Sequence, residues 1–441
     1  MLKRLGAPAV ALVVMLSGLV WASPAGSTGI FAAAQAPSPP LGGVNIDATP
    51  GPGATAAGAD REIEQARELH AKVVRIEIPW AVFEPRQQGQ LSQTALAYTD
   101  QLTSDATAAG LKVIMFIDGT PCWASSAPAP VLSGCVPEAG GQAHAWPPTD
   151  PADYASFVAF LAQRYASSLA AIEIWNEPDQ ANQVYFDGPN KPQQYAALLR
   201  SAYTAVKLVN PNLPVLAGSL VGSNGVFLRA LYAAGIKGYY DGLAVHFYTL
   251  TLAALRAMHE VQLANGDDKP MWLDEFGWTS CYPQHKIQEE QGCVTPQIQA
   301  RNLSDMFRSL ARTPYVSSVV SFKLQDTSGE QFGVLSYAGK RKPAFSALAS
   351  VLASPFGAPS PVTLALRRHG RSVVASGSGP VGDYMQLEAF KGGLLRYHAL
   401  FTLDRFDRYS ITLPSVLGTR GLRVRVYQYW AGIGRAAQKR I

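Results

Sequence analysis

Residues 171–178 read Ala171-Ile172-Glu173-Ile174-Trp175-Asn176-Glu177-Pro178. A short apolar run stops abruptly at polar residues. The pattern of an amphipathic helix precedes it from residue 152 to 168, with Pro151 at the helix start. The same unit recurs along the chain. Upstream, the strand candidates are 43–46, 73–78 and 112–117, with helical patterns over 63–71 and 94–109. Downstream, strand candidates at 215–218, 242–246, 270–274 and 316–322 alternate with helical patterns over 193–209, 226–234, 252–264 and 297–312. A last helix ends near Ala353. Eight strand–helix alternations of this spacing predict a closed parallel α/β barrel, the (β/α)8 TIM barrel. An open doubly wound sheet would need a Gly-rich phosphate turn after an early strand, and none is present.

After Ser354-Pro355 the period changes. Runs at 362–366, 372–375, 384–390, 394–401, 409–413 and 422–429 read as strands separated by turns, which predicts a small antiparallel β-sandwich. The expected organisation is a signal peptide or membrane anchor over 1–22, a linker over 23–41, the barrel over 42–354 and the sandwich over 355–441.

Composition agrees with this reading. Of 441 residues, 16% are charged and 48% are apolar, so a sizeable core can be buried and disorder is a poor description. The formal charge of +5 hides an asymmetry. Residues 367–441 carry 13 Lys/Arg against 4 Asp/Glu, and the remainder 24 against 28. A basic C-terminal module can favour anionic glycans, cell wall or lipid headgroups; the plainer reading is a solvated basic surface. At the N-terminus, Lys3 and Arg4 precede an apolar run from Leu5 to Ala22, and Val20-Trp21-Ala22 offers a cleavage site. Export implies an oxidising compartment. Cys122–Cys135 and Cys281–Cys293 are then the natural disulfides among three possible connectivities. A zinc site is the rival, and neither pair has the short C-x-x-C spacing.

Active sites of such barrels lie at the C-terminal ends of the strands. There the fourth strand ends Asn176-Glu177, the seventh Asp274-Glu275 and the sixth His246-Phe247-Tyr248, while the second carries Arg75. Glycosidic cleavage needs two carboxyl groups, one to protonate the leaving oxygen and one to stabilise or attack the anomeric carbon. Strands four and seven can hold such a pair across the mouth. The two must differ in pKa. Arg75 beside Glu275 would keep that carboxylate ionised, and Glu177 would hold the proton. On the residues alone, which of the two is protonated stays open.

These residues carry a resemblance. Ile174-Trp175-Asn176-Glu177-Pro178 and Trp272-Leu273-Asp274-Glu275-Phe276-Gly277 resemble the two catalytic strands of clan A glycoside hydrolases. His246-x-Tyr248 and Arg75-Ile76-Glu77-Ile78-Pro79-Trp80 are similar to further signatures of that clan. Together they span residues 42–353, and the overall look is closest to families 39 and 5, of the bacterial exopolysaccharide-cleaving type. The resemblance implies that Glu177 is the acid/base and Glu275 the nucleophile. It further implies that Asn176 binds the sugar 2-hydroxyl, that Tyr248 and Arg75 contact Glu275, and that His246 sits close to Glu177.

Trp80, Trp123, Trp175 and Trp278 are sugar-stacking candidates, because flat rings suit apolar C–H faces; core packing is the alternative for each. One departure from the clan matters. Its usual strand-eight tryptophan is replaced here by Ser321-Phe322-Lys323-Leu324-Gln325-Asp326. Phe322 stands in for the missing ring, and Lys323 or Asp326 becomes a substrate contact. A negatively charged sugar becomes conceivable. The expectation is therefore a retaining glycosidase acting on an extracellular polysaccharide, secreted or held at the cell envelope, with no metal or organic cofactor. Its partner is a glycan and not a nucleic acid, with membrane or envelope association through either end of the chain. A transglycosylase remodelling an envelope glycan and a catalytically idle glycan-binding barrel are the alternatives.

Overall fold

The computed structural model describes residues 39–441, apart from 139–140, 223–224, 249–250, 282–292, 358–359, 383, 405–406 and 429–435. Expectations for residues 1–38, the signal or anchor and most of the linker, lie outside the described residues. Those described fall into two compact units, 39–359 and 360–441.

The first unit is a closed barrel of eight parallel strands in sequential order: β1 (Leu41–Asn45), β2 (Val73–Pro79), β3 (Lys112–Asp118), β4 (Leu169–Ile174), β5 (Val215–Leu220), β6 (Gly242–His246), β7 (Met271–Phe276) and β8 (Val316–Ser321). β8 closes onto β1 with Leu41 opposite Ser318. Strands covered on both faces are apolar throughout, and β5, β6 and β7 are buried at every position.

The helices start where capping chemistry allows. Asp150 accepts from the Ala152 amide ahead of Pro151–Arg164, and Thr295 accepts from the Ile298 amide ahead of Pro296–Leu310. The first helix spans Ala56–Glu68, capped by Thr55, and so starts seven residues before the apolar stripe of Ile63, Ala66 and Leu69 suggests. Most of its first two turns face solvent and carry little apolar periodicity.

The barrel floor is one layer of side chains, one from each of β2–β8: Val73, Ile114, Ala171, Leu216, Ala244, Trp272 and Val320. Gly242 makes room for it, since a Cβ there would stand 2.7 Å from the Trp272 ring. Side chains on a strand alternate with period two. The next inward layer therefore comes from Arg75, Phe116, Glu173, His246, Asp274 and Phe322, and Glu77 and Asp118 stand above it at the mouth.

The second unit holds a three-stranded antiparallel sheet of β9 (Ala365–His369), β10 (Ser372–Ser378) and β13 (Arg408–Thr412). It also holds a four-stranded one of β11 (Met385–Lys391), β12 (Leu394–Phe401), β14 (Leu422–Gln428) and β15 (Ala437–Arg440). Both sheets contribute to one core that includes Val373, Ala375, Leu387, Ala389, Val424 and Val426. The first of these strands lies three residues later than the run at 362–366 suggests. β15, Ala-Gln-Lys-Arg, is a polar edge strand that no apolar alternation marks.

Candidate active site

Arg75 is the hub of the mouth. It is 1% exposed, lies over the Phe116 ring at 4.0 Å and spends its whole guanidinium on acceptors. Its Nε and Nη2 donate to the two Glu173 carboxylate oxygens at 2.9 and 2.8 Å. Nη1 donates to Glu275 Oε1 at 2.7 Å and to Asn45 Oδ1 at 3.2 Å. Nη2 also reaches Asn176 Oδ1 at 3.1 Å. Asp274 Oδ2 lies 3.3 Å from Nε. Burial works against charge on both Arg75 and Glu173, and their mutual attraction outweighs it, so the arginine stays charged and the Glu173 carboxyl is lowered. Asp274 goes the other way. Burial, then the Glu173 charge, pushes its carboxyl well above the usual range.

Asp274 and Glu275 are consecutive, yet both reach Arg75. Period-two alternation forbids this in a regular strand. The register of β7 shifts against both neighbours between Val245 and His246 and between Leu273 and Phe276. Such an irregularity turns two successive side chains inward.

Glu275 accepts Arg75 at one oxygen and the Tyr248 hydroxyl at the other, the latter at 2.7 Å. His246 Nδ1 is 2.6 Å from Glu177 Oε1, and its Nε2 is 3.3 Å from Glu275 Oε1. Carboxylate oxygens of Glu177 and Glu275 lie within 4.8 Å of each other. The Gln180 amide donates to the second oxygen of Glu177. Trp175 and Glu177 both take left-handed backbone, with φ of 72° and 45°. That conformation costs an ordinary residue about 1–2 kcal/mol and concentrates at functional sites. Asn176 uses its Oδ1 on Arg75 and Ser219, which leaves its NH2 group to donate.

Glu177, His246 and Glu275 offer ligand atoms close enough for a metal ion, as do Glu173, His246 and Asp274. The guanidinium of Arg75 already pairs with Glu173 and Asp274 of one set and with Glu275 of the other, and a second cation there would meet its repulsion.

The aromatic expectations divide. Trp80 is fully buried. Its ring packs among Trp123, Tyr154 and Phe157, and its Nε1 donates to Glu84 Oε2. It presents no face to a ligand. Trp175 is likewise sealed, donating to the Tyr185 carbonyl, and Trp278 is buried against Phe276. Trp123 is half-buried and donates to the Glu84 carbonyl. Phe322 is half-buried and forms an edge-to-face triad with Tyr248 and Phe332, at 6.0 and 5.6 Å.

Lys323 does not offer a free cation. Its Nζ is 3.0 Å from Asp47 Oδ1 and 3.4 Å from Glu330 Oε2. Asp326 is committed to Lys342 at 3.0 Å. An anionic sugar therefore loses the feature that made it conceivable.

Sequence reading missed Glu173, Ser219, Phe332 and Tyr185. For Glu173 a signal existed, a carboxylate flanked by Ile172 and Ile174 inside an apolar strand. A charge in such a strand needs a buried partner.

Cys122 is bonded to Cys135 and Cys281 to Cys293. Among the described residues no helix is long and apolar enough to cross a membrane.

Residues 148–342 match the family model described as glycosyl hydrolase catalytic core. Comparison with curated protein sequences returns no match. Solved structures similar to this chain include a family 39 glycoside hydrolase from the gut symbiont Bacteroides cellulosilyticus WH2. It shares 19% identity over 85% of this chain and 81% of its own, with a TM-score of 0.56. An endo-beta-1,4-mannanase from Thermotoga petrophila shares 13% identity over 91% of this chain and 97% of its own, with a TM-score of 0.53. A family 30 endoxylanase from Clostridium papyrosolvens C71 shares 12% over 89% and 97%, with a TM-score of 0.52. At these identities the likeness is one of fold, the closed eight-stranded parallel barrel.

Proposed function

We propose that this chain, whose residues 148–342 match the glycosyl hydrolase catalytic core, cleaves O-glycosidic bonds of an extracellular polysaccharide with retention of anomeric configuration. The observation that carries the reading is the approach of Glu177 and Glu275 carboxylate oxygens to within 4.8 Å. Retaining pairs stand about 5–5.5 Å apart, whereas inverting pairs leave roughly 6.5–9.5 Å for a water between them.

Glu275 is the nucleophile. Arg75 and Tyr248 hold one oxygen each, which aims the carboxylate at the anomeric carbon. Glu177 is the acid/base. The proton it gives to the leaving oxygen is shared with His246 Nδ1 across the 2.6 Å contact. In the first step a Glu275 oxygen bonds to the anomeric carbon as the C–O bond to the leaving group breaks and the proton moves onto that oxygen. In the second, water gives its proton back to Glu177 and displaces Glu275. The Asn176 NH2 group donates to the sugar hydroxyl beside the reacting carbon. The two disulfides fit an extracytoplasmic compartment.

The test is digestion of a glycan panel by wild type, Glu177→Ala and Glu275→Ala. Both substitutions are expected to cost several orders of magnitude in rate. Azide restores turnover of Glu275→Ala as a glycosyl azide of inverted configuration. Unchanged hydrolysis in either variant, or inverted product from wild type, defeats the proposal.

A further inference from the structure

The hydroxyl partner of Glu275 is aimed by packing. β6 ends at His246, so Tyr248 lies two residues past the last strand position, where no ladder pairing directs its side chain. Its hydroxyl nevertheless donates to Glu275 Oε2 at 2.7 Å. The ring is set by other rings. Phe332 and Phe322 meet it edge-to-face at 5.5 and 6.0 Å and meet each other at 5.6 Å. His246 adds a further edge at 6.3 Å. Edge-to-face pairs fix the tilt between rings as well as their spacing.

Phe322 follows β8 directly, and Phe332 comes from the loop that returns beside it. The Val334 amide donates to the Lys323 carbonyl at 3.1 Å and the Leu335 amide to the Leu324 carbonyl at 2.9 Å. At the tip of that loop the Thr327 amide donates to the Glu330 carbonyl at 3.0 Å. Gln299 holds the base, donating to the Phe332 carbonyl at 3.0 Å. The tip is held by Lys323. This lysine is 4% exposed. Its Nζ lies 3.4 Å from Glu330 Oε2 on the loop, 3.0 Å from Asp47 Oδ1 beyond β1, and 5.3 Å from the centre of the Phe322 ring. An ammonium is buried only where its partners offset the lost water, and an aromatic face within about 6 Å adds to that. The acids do not depend on the arrangement, since their side chains are 48% and 49% exposed and stay solvated. What it fixes is the spacing between the Phe322 segment, the Phe332 loop and the chain beyond β1.

We propose that Lys323 is a positioning residue for the nucleophile: by tying Asp47 and the Glu330 tip to the Phe322 ring, it closes the aromatic triad that aims the Tyr248 hydroxyl at Glu275. The inference rests on Glu275 being the nucleophile. Lys323 acts through Tyr248 and not by contact with the sugar, so its removal slows the chemical step and leaves substrate binding nearly intact.

Lys323→Met keeps an unbranched stem and removes the charge. It leaves no buried acid without a partner, so the variant is expected to fold. Kinetics of the full chain are measured on a glycan that wild type cleaves, for Lys323→Met, Lys323→Arg, Tyr248→Phe and the Lys323→Met/Tyr248→Phe double variant. Lys323→Met is expected to lower kcat about ten-fold and to change KM by less than about three-fold. Lys323→Arg keeps the cation for both acids and the ring, and is expected within about three-fold of wild type. With no hydroxyl left to aim, Lys323→Met in the Tyr248→Phe background is expected to cost less than about two-fold more. A lysine that only stabilised the fold would cost the same in both backgrounds. Native kcat in Lys323→Met, a loss confined to KM, equal losses in the two backgrounds, or Lys323→Arg no better than Lys323→Met each overturn the proposal. A crystal structure of Lys323→Met tests it without turnover. The Tyr248 hydroxyl is expected to stand more than about 3.5 Å from Glu275 Oε2, outside hydrogen-bond reach. A hydroxyl still bonded to Glu275 overturns the proposal whether or not wild type cleaves any glycan, whereas wild type that cleaves none removes the hydrolase reading alone.

Discussion

His246 Nδ1 stands 2.6 Å from Glu177 Oε1, in a setting where the imidazole is 1% exposed. Burial opposes charge on the ring. The Glu275 carboxylate and the hydrogen bond to Glu177 outweigh it and raise His246 to about 9. A proton therefore stays on this pair through neutral pH. Activity is expected to fall on the alkaline side as pH passes about 9. His246→Gln should lower kcat by roughly 10²–10³-fold and remove that limb; a pH–rate profile unchanged by the substitution contradicts the role.

The same shift has a stability consequence. The folded pKa of about 9 lies above the ordinary 6.5. The stabilisation is thus fully present below pH 6.5 and is lost as pH rises through about 9. Thermal melts between pH 6 and 10 should show a decline that His246→Gln flattens. Parallel curves for the two proteins would count against it.

Arg75 holds Glu173, Asp274 and Glu275 together with no exposure to water. Arg75→Met leaves buried carboxylates without a partner and is expected to cost roughly 3–5 kcal/mol in urea unfolding. Arg75→Lys keeps the charge and loses the fork that spans both Glu173 oxygens. It should be intermediate in stability and severely impaired in rate. A lysine variant with native rate would show that charge alone suffices.

The Tyr248 hydroxyl donates to Glu275 Oε2 at 2.7 Å, while its ring packs against Phe322 and Phe332. Tyr248→Phe keeps the packing and removes the donor. The expected result is a loss of about 10–100-fold in kcat, the size of one transition-state hydrogen bond, with melting shifted little. A large melting shift with native kcat would assign the hydroxyl to structure.

The Cys122–Cys135 bridge closes a loop between residues 13 apart, and the chain that leaves it, through Glu138, His144 and Ala145, lines a cavity beside Glu77 and Asp118. Loop closure of this length stabilises by about 3 kcal/mol. Cys122→Ser/Cys135→Ser should lower the melting temperature and raise KM more than it lowers kcat. An effect on kcat alone would place the loop's role elsewhere.

The strand–helix alternation was legible because barrel strands are buried on both faces, so runs such as Val215–Leu220 and Gly242–His246 stand out as apolar blocks. The polar ends of the fourth, sixth and seventh strands were legible for the same reason, as breaks in those blocks. The stacking role of Trp80 was not legible. A tryptophan after a strand reads alike whether it faces a sugar or, as here, packs on Tyr154 and Phe157 beneath a loop. The polar strand β15 and the early start of the first helix escaped because neither carries apolar periodicity.

Residue order alone determined the barrel, the sheet pair that follows it, the strand ends on which Glu177, Glu275 and His246 lie and the strand that carries Arg75, because burial writes itself into composition at short range. Only the tertiary structure decided which charges meet. Glu173, Glu77 and Asp118 are strand carboxylates like any others until closure turns their faces inward, and a register slip in β7 is what presents Asp274 and Glu275 together to Arg75. Electrostatic pairing across residues 75, 173 and 275 depends on distances through space, and no local pattern records those.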